Sequence, residues 1–457
     1  MKINKLNIKG PMLALVTAMS LIGCGSSDDE VVLDLGDDSV EASDCFWVGP
    51  YTIDNDETNF AFPDTGAAYW HAGYTLPEGA SLKLTGEFPH ARYISFNTYD
   101  VSASPSYSIS DNVIVANEGS INPFVQGASR NSEFRDYELS LLQGTVPDTV
   151  ADNTLYDAAE TGESAMLLYR VYVPDEGKDS AGGVDLPQVE LTLASGEVMN
   201  SDDACEVLDS DSEYAAISVI PAQTYTYFRQ GNPAQNNLIE EGDTQVVQWN
   251  AAYNTEYSLY CQFLNSCEEN PEREVSYYAN LDNQYVSAFI DNSIKPIVVI
   301  RGKIPEVPVT LDGADTFDES EAELRYWSIC QNEFYSQKVT DCLYDEQITI
   351  QPDGEYLIVT STLDNKPSNA TSECGNEFLE WSKDGDGFAL ADGMENNEND
   401  GLLIVRNMLP TNNFEQSAQF TQTPGDEEEV MGEYLPTAQY FTKEEFEALG
   451  CDAYTSL

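Results

Sequence analysis

The sequence predicts an all-β fold: two tandem duplicated β-sandwich (jelly-roll-like) domains followed by one short C-terminal helix. Three observations predict it: strand-like patterning along most of the chain, the lack of long stretches with helical periodicity, and segments that recur in one order in both halves of the 457 residues. Ser81-Leu82-Lys83-Leu84 and Val189-Glu190-Leu191-Thr192-Leu193 alternate, which puts every second side chain on one face of a strand. Val113-Ile114-Val115, Ile297-Val298-Val299-Ile300 and Tyr356-Leu357-Ile358-Val359 are short apolar runs bounded by Gly, Pro, Asp or Asn, as buried strands are. The helix is placed by Thr442 and Glu445, which form a capping box, with Gly450 as its stop.

The recurrence sets the domain boundaries. Gly86-Glu87-Phe88-Pro89 matches Gly302-Lys303-Ile304-Pro305, and Arg92-Tyr93-Ile94-Ser95-Phe96 matches Arg325-Tyr326-Trp327-Ser328-Ile329. Residues 111–119 match 345–354, and Leu167-Leu168-Tyr169-Arg170-Val171-Tyr172-Val173-Pro174 lines up with Leu403-Ile404-Val405-Arg406-Asn407-Met408-Leu409-Pro410. Each match alone is weak, but their common order points to a duplicated unit. The first domain is expected over residues 45–208 and the second over 244–457. Residues 209–243 are an acidic connector broken by Asn232-Pro233 and Glu240-Glu241-Gly242-Asp243.

At the start, Lys2, Lys5 and Lys9 precede an apolar stretch from Pro11 to Ile22 that is too short to anchor stably across a bilayer, so residues 1–23 read as a signal peptide. Leu21-Ile22-Gly23-Cys24 resembles the lipobox of bacterial lipoproteins. That resemblance implies cleavage before Cys24, lipidation of its thiol, and attachment to a lipid bilayer through the acyl chains, each buried CH₂ contributing about 0.8 kcal/mol. Gly25 stands where aspartate resembles an inner-membrane retention signal, which favours the outer membrane; the periplasmic and surface-facing orientations both stay open. Residues 24–44, rich in Ser, Asp, Glu and Gly, form an acidic tether reaching at most about 65 Å.

The chain has 80 acidic and 20 basic residues, a formal net charge of -60, so it repels phosphate and nucleic acid is excluded as a partner. With 41% hydrophobic and 11% aromatic residues it is a folded body rather than a disordered acidic tail. Setting Cys24 aside, eight cysteines remain: Cys45, Cys205, Cys261, Cys267, Cys330, Cys342, Cys374 and Cys451. An even number in an exported chain points to disulfides. Cys45 and Cys205 bracket the first domain and are expected to close it. Cys261 with Cys267, Cys330 with Cys342 and Cys374 with Cys451 are the first choice for the rest, with Cys267 to Cys451 as the rival.

Arg325-Tyr326-Trp327-Ser328-Ile329-Cys330, Asp341-Cys342-Leu343-Tyr344-Asp345-Glu346-Gln347, residues 404–410 and Phe446-Glu447-Ala448-Leu449-Gly450-Cys451 carry a further resemblance. They look like a family of secreted bacterial proteins of unassigned function. The resemblance covers most of the body and implies no activity.

Four arginines recur between the copies, Arg92, Arg170, Arg325 and Arg406, in a chain where basic residues are scarce. One reading makes them a pair of anion- or carboxylate-binding sites, since a guanidinium offers a planar fork. The other makes each a buried partner for an acid such as Asp111 or Asp345, tying strands together. Asp384, Asp386, Asp392 and Glu395 have the spacing of positions one, three, nine and twelve of a Ca²⁺ loop, although Phe388 occupies the fifth position and Ala389 replaces the turn glycine. Tyr69, Trp70, Tyr74, Tyr253, Tyr257, Tyr260, Tyr277 and Tyr278 read either as platforms for sugars or apolar ligands or as cross-strand pairs. There is no nucleophile elbow, zincin motif, phosphate loop or dinucleotide fingerprint, and only His71 and His90 are present for a triad.

Two functional expectations follow. The first is a non-enzymatic binding or interaction module carried by an anchored lipoprotein of the cell envelope. The alternative is an extracellular hydrolase that uses paired carboxylates on a polymer or lipid, and raised-pKa acids in a cleft between the domains would favour it.

Overall fold

The computed structural model describes residues 45–54, 58–100, 103–209, 222–241, 244–254, 257–264, 273–274, 278–388 and 397–457. The expected signal peptide, Cys24 and the tether lie outside the described residues. Residues 39–457 cluster as one compact unit. The strands of its first half are β1 (Val48–Tyr51), β2 (Ala67–Thr75), β3 (Ser81–Glu87), β4 (Ala91–Tyr99), β5 (Pro105–Ser110), β6 (Asp136–Leu142), β7 (Thr154–Tyr156), β8 (Ser164–Pro174), β9 (Gln188–Thr192) and β10 (Val198–Asn200). Those of the second half are β11 (Leu238–Glu241), β12 (Thr244–Val247), β13 (Asn250–Ala251), β14 (Asn283–Asp291), β15 (Ile297–Lys303), β16 (Tyr326–Asn332), β17 (Val339–Tyr344), β18 (Glu355–Ser361), β19 (Glu377–Glu380), β20 (Asp400–Met408) and β21 (Thr437–Phe441).

The duplication is visible in the sheet orders. One sheet of the first sandwich runs β1-β2-β8-β4-β5 and its counterpart runs β13-β14-β20-β16-β17. The other sheets run β10-β9-β3-β6-β7 and β11-β12-β21-β15-β18-β19, each with a parallel pair at its end, β6 with β7 and β18 with β19. Alternation explains the outer sheet of the first sandwich: Leu82 and Leu84 fill the first core while Lys83 stays outside. In the second sandwich Phe446 and Ala453 cover the outer face of β15 and β18 at Ile297, Val299, Leu357 and Val359. The inner sheets are covered on both faces, and every residue of β4 and β16 is buried. Ile94 and Phe96 pack into the core of their own sandwich, as do Trp327 and Ile329, whereas Tyr93 and Tyr326 form part of a separate cluster between the two.

The junction between the sandwiches is reciprocal. Arg92 meets Asp345 at 2.7 Å, and Arg325 meets Asp111 at 2.8 Å. Each aspartate also accepts a backbone N–H from its own half, Asp111 from Ile94 and Asp345 from Trp327. The Tyr93 hydroxyl donates to Asp282, and the Tyr326 hydroxyl donates to Asp64, both over 2.7 Å. Equivalent residues exchanging partners in this way is the rule at a two-fold dimer interface, here formed within one chain. A clasp adds to it: the Gly127 amide donates to the Phe317 carbonyl, the Phe317 amide donates to the Ala128 carbonyl, and the Phe317 ring is buried in the core of the first sandwich.

The C-terminal helix spans Lys443–Glu447, with the Thr442–Glu445 capping box in place. It is not the lone helix expected. Ser201–Leu208, Ala222–Arg229, Pro233–Asn236, Glu427–Met431 and Ala453–Ser456 are also helical. These pieces have at most eight residues, too short to show periodicity in a sequence window and held by packing rather than propensity. Two of them, with β11, lie in the segment expected to be a plain connector, and β11 pairs with β12 to extend the outer sheet of the second sandwich.

Disulfides join Cys45 to Cys205, Cys330 to Cys342 on adjacent strands, and Cys374 to Cys451. The last bond excludes the rival pairing of Cys267 with Cys451. Cys261 is also disulfide-bonded, and Cys267 lies outside the described residues.

Candidate functional site

The four repeated arginines sit at the junction, each 4% exposed or less. Arg92 pairs with Asp345 and Glu346, and Arg325 with Asp111 and Glu319. Arg170 donates to Asn97 Oδ1 at 2.5 Å, Tyr99 Oη at 2.8 Å and the Tyr278 carbonyl at 2.8 Å. Arg406 donates to the carbonyls of Phe62 and Pro63, contacts Cys330 Sγ at 2.7 Å, and lies 3.3 Å from Asp64. Their planar forks are thus occupied by groups of this chain. The anion-site reading is corrected to the structural one: these arginines tie one sandwich to the other.

Burial raises the junction acids. Asp111 is pushed up to about 6 against the opposing pull of Arg325, and burial likewise holds Asp345 and Asp282 above the usual carboxylate range. Raised-pKa acids between the sandwiches are what a hydrolase reading sought. Here, however, Asp111 and Asp345 bond a guanidinium and a backbone amide, and Asp282 accepts the Tyr93 hydroxyl.

Of the expected Ca²⁺ loop, only Asp384 and Asp386 lie among the described residues, and both are engaged by other groups. Asp386 Oδ2 accepts from Tyr225 Oη at 3.2 Å and lies 3.4 Å from Arg229 Nε, while its Oδ1 accepts the Phe388 amide at 2.9 Å. A carboxylate engaged by a cation and two donors has little left for a metal. Asp384 is paired with the exposed Lys383, and Asp392 and Glu395 lie outside the described residues. Another compact donor group, Asp64 with Cys330 and Cys342, has its sulfurs bonded to each other and its carboxylate bonded by Tyr326 and Ser328.

Asp400, near Asp386, is pushed up to about 7 by burial and by the Asp386 and Asp291 charges. A carboxyl raised in the folded state favours folding below its ordinary value and loses that contribution as pH rises through about 7. Asp400→Asn is therefore expected to stabilise the protein at pH 8 and to change little near pH 4. After discounting for partial exposure, the difference is on the order of 3 kcal/mol. Thermal melts at the two pH values check this, and an effect independent of pH would refute it.

His71 is held down to about 4 by burial, and His90 likewise by burial and then by Arg135, whose Nη1 lies 2.6 Å from His90 Nε2. The aromatic platforms are mostly core or strand pairs. Trp70 packs on Tyr169 at 5.8 Å, Tyr69 on Tyr172 at 6.0 Å and Tyr253 on Tyr257 at 5.2 Å. Tyr74 is buried and donates to Asp157, while Tyr278 packs against Tyr99 at 6.0 Å. Tyr277 and the side chain of Tyr260 lie outside what is described.

A surface recess was missed in the sequence. It has a volume of about 320 Å³, lies on the outer sheet of the second sandwich, and has Val299, Arg301, Glu355, Thr437, Gln439 and Phe441 among its lining residues. These come from β15, β18 and β21, which pair in the order β21-β15-β18, so strand pairing alone brings them together. The Arg301 guanidinium bonds Glu355 through Nε at 2.5 Å and stacks on the Tyr454 ring at 4.5 Å. Beside it, Lys303 pairs with Glu433 at 2.6 Å. The one sequence signal was Val299-Ile300-Arg301-Gly302-Lys303, an alternation that aims residues 299, 301 and 303 to one face.

No protein-family profile and no curated protein matches the chain. Solved structures of other bacterial proteins align with it, two of them as follows. An uncharacterised protein from Burkholderia cenocepacia is 10% identical with a TM-score of 0.42, the alignment covering 85% of this chain and 82% of that one. A protein from Vibrio parahaemolyticus is 10% identical with a TM-score of 0.36, covering 79% of this chain and 88% of that one.

Proposed function

We propose that the protein is a lipid-anchored lipoprotein of the cell envelope, held at the outer membrane through Cys24, whose paired sandwiches act as a non-enzymatic binding module. The observation that carries the binding half is the junction. All four repeated arginines hold the sandwiches together, which leaves the outer sheet of the first sandwich and the β21 side of the second to meet a partner. A site built on strands of a scaffold locked in this way is held more precisely than one built on loops, which suits recognition. The anchoring half rests on Leu21-Ile22-Gly23-Cys24 behind a cationic and apolar leader, and on the acidic stretch that follows.

Metabolic labelling with an alkynyl fatty acid tests the anchor. The mature protein is expected to take up label and to fractionate with membranes, while Cys24→Ala is expected to lose the label and to leave the membrane fraction. An unlabelled mature protein, or a Cys24→Ala variant that keeps its label, would defeat the proposal.

A further inference from the structure

We infer that the recess on the outer sheet of the second sandwich is a binding site for a neutral carbohydrate; this builds on the binding-module reading and gives it a ligand class. The first argument is charge. In a chain with 80 acidic and 20 basic residues, this recess has its charges matched one to one, Arg301 with Glu355 and Lys303 with Glu433. An anionic ligand meets the surrounding negative field, and a cationic ligand finds these acids already paired. A neutral polar ligand meets hydrogen-bonding groups without disturbing either pair.

The second argument is a difference between the copies. In the first sandwich the outer face carries Lys83 opposite Glu190, 2.5 Å apart, with Glu138 also within 3.7 Å. The register of β15 with β21 places Val299 and Gln439 at the corresponding positions. The second copy thus has an apolar side chain and an amide where the first has an ion pair. Among the described residues the Gln439 amide makes no hydrogen bond to the protein, so its donors and acceptor are open to a ligand. The exposed Thr437 hydroxyl stands beside it.

The third argument is the mixture of surfaces. Leu435, Phe441 and Leu457 give apolar contact beside Val299, which is itself only 4% exposed, while Arg301, Glu355, Thr437 and Gln439 give a polar rim. A sugar ring has this same division, with C–H faces and hydroxyl edges. Stacking on Tyr454 keeps the guanidinium flat beside the floor, which lowers the ordering cost of a hydrogen bond to a hydroxyl. The volume lies near the lower end of the roughly 300–1,000 Å³ range of ligand pockets, which suits one or two sugar residues.

Affinity electrophoresis of the whole mature protein in native gels containing dextran, mixed-linkage β-glucan, xylan or polygalacturonate tests this. At least one neutral polysaccharide is expected to retard migration, and polygalacturonate is not. Gln439→Glu, which places a carboxylate on the floor, is expected to weaken the retarding affinity by about tenfold or more, while Glu190→Gln on the first sandwich leaves it unchanged. Because Gln439 is partly exposed, matching thermal melts separate lost binding from lost folding. Retardation by none of the neutral polymers, equal retardation by polygalacturonate, or an unaffected Gln439→Glu variant overturns the inference. Shortening of the retained polymer would instead sink the non-enzymatic reading while keeping the site.

Discussion

Arg325→Met is expected to lower the unfolding free energy of the protein by about 3–5 kcal/mol, because it leaves the Asp111 carboxylate buried without its cation. Asp111 already sits near 6, above the ordinary value, because burial outweighs Arg325. Removing the guanidinium removes the main opposing pull, so the loss is expected to be greater at pH 8 than at pH 4.5, where the carboxyl takes up a proton. Asp111→Asn added to Arg325→Met is expected to recover part of the loss, since the buried charge is then gone. Urea unfolding followed by tryptophan fluorescence reads both sandwiches, through Trp47 and Trp70 in the first and Trp327 and Trp381 in the second. The two are expected to melt together, and a midpoint unchanged in Arg325→Met would refute the structural role.

Cys45→Ser with Cys205→Ser is expected to cost about 5 kcal/mol, the chain-entropy value for closing a loop of this length. The bond spans 160 positions and fastens helix Ser201–Leu208, whose Ala204 and Leu208 are buried in the first core. Loss of the bond frees that helix as well as enlarging the unfolded ensemble. Denaturant titration of the double variant checks it, and a change below about 1 kcal/mol would show that packing alone holds the helix.

Much of the architecture could be read before any coordinates, because alternation and recurrence both follow from strand geometry. Leu82 and Leu84 face inward as their pattern implies, and the repeated Arg-Tyr segments fall on the equivalent strands β4 and β16. Asp111 and Asp345 were visible as partners for the arginines. That each arginine reaches the other copy's acid was not, since pairs 214 and 253 positions apart leave no periodic trace. Ser95 and Asn97 look like surface residues in isolation and are fully buried because a second sandwich covers their face. The acidic loop had metal-like spacing, but spacing does not reveal that Arg229, from a helix in the connector, reaches Asp386. The recess was illegible for another reason: the replacement of Lys83 and Glu190 by Val299 and Gln439 has meaning only once the strand registers are known.

The bond between Cys45 and Cys205 also decides how the protein bears load. A pull that enters the chain upstream of Cys45 and is resisted at the second sandwich passes through that covalent link directly to Cys205. The strands β1 to β10 lie between the two sulfurs and are shunted out of the line of tension.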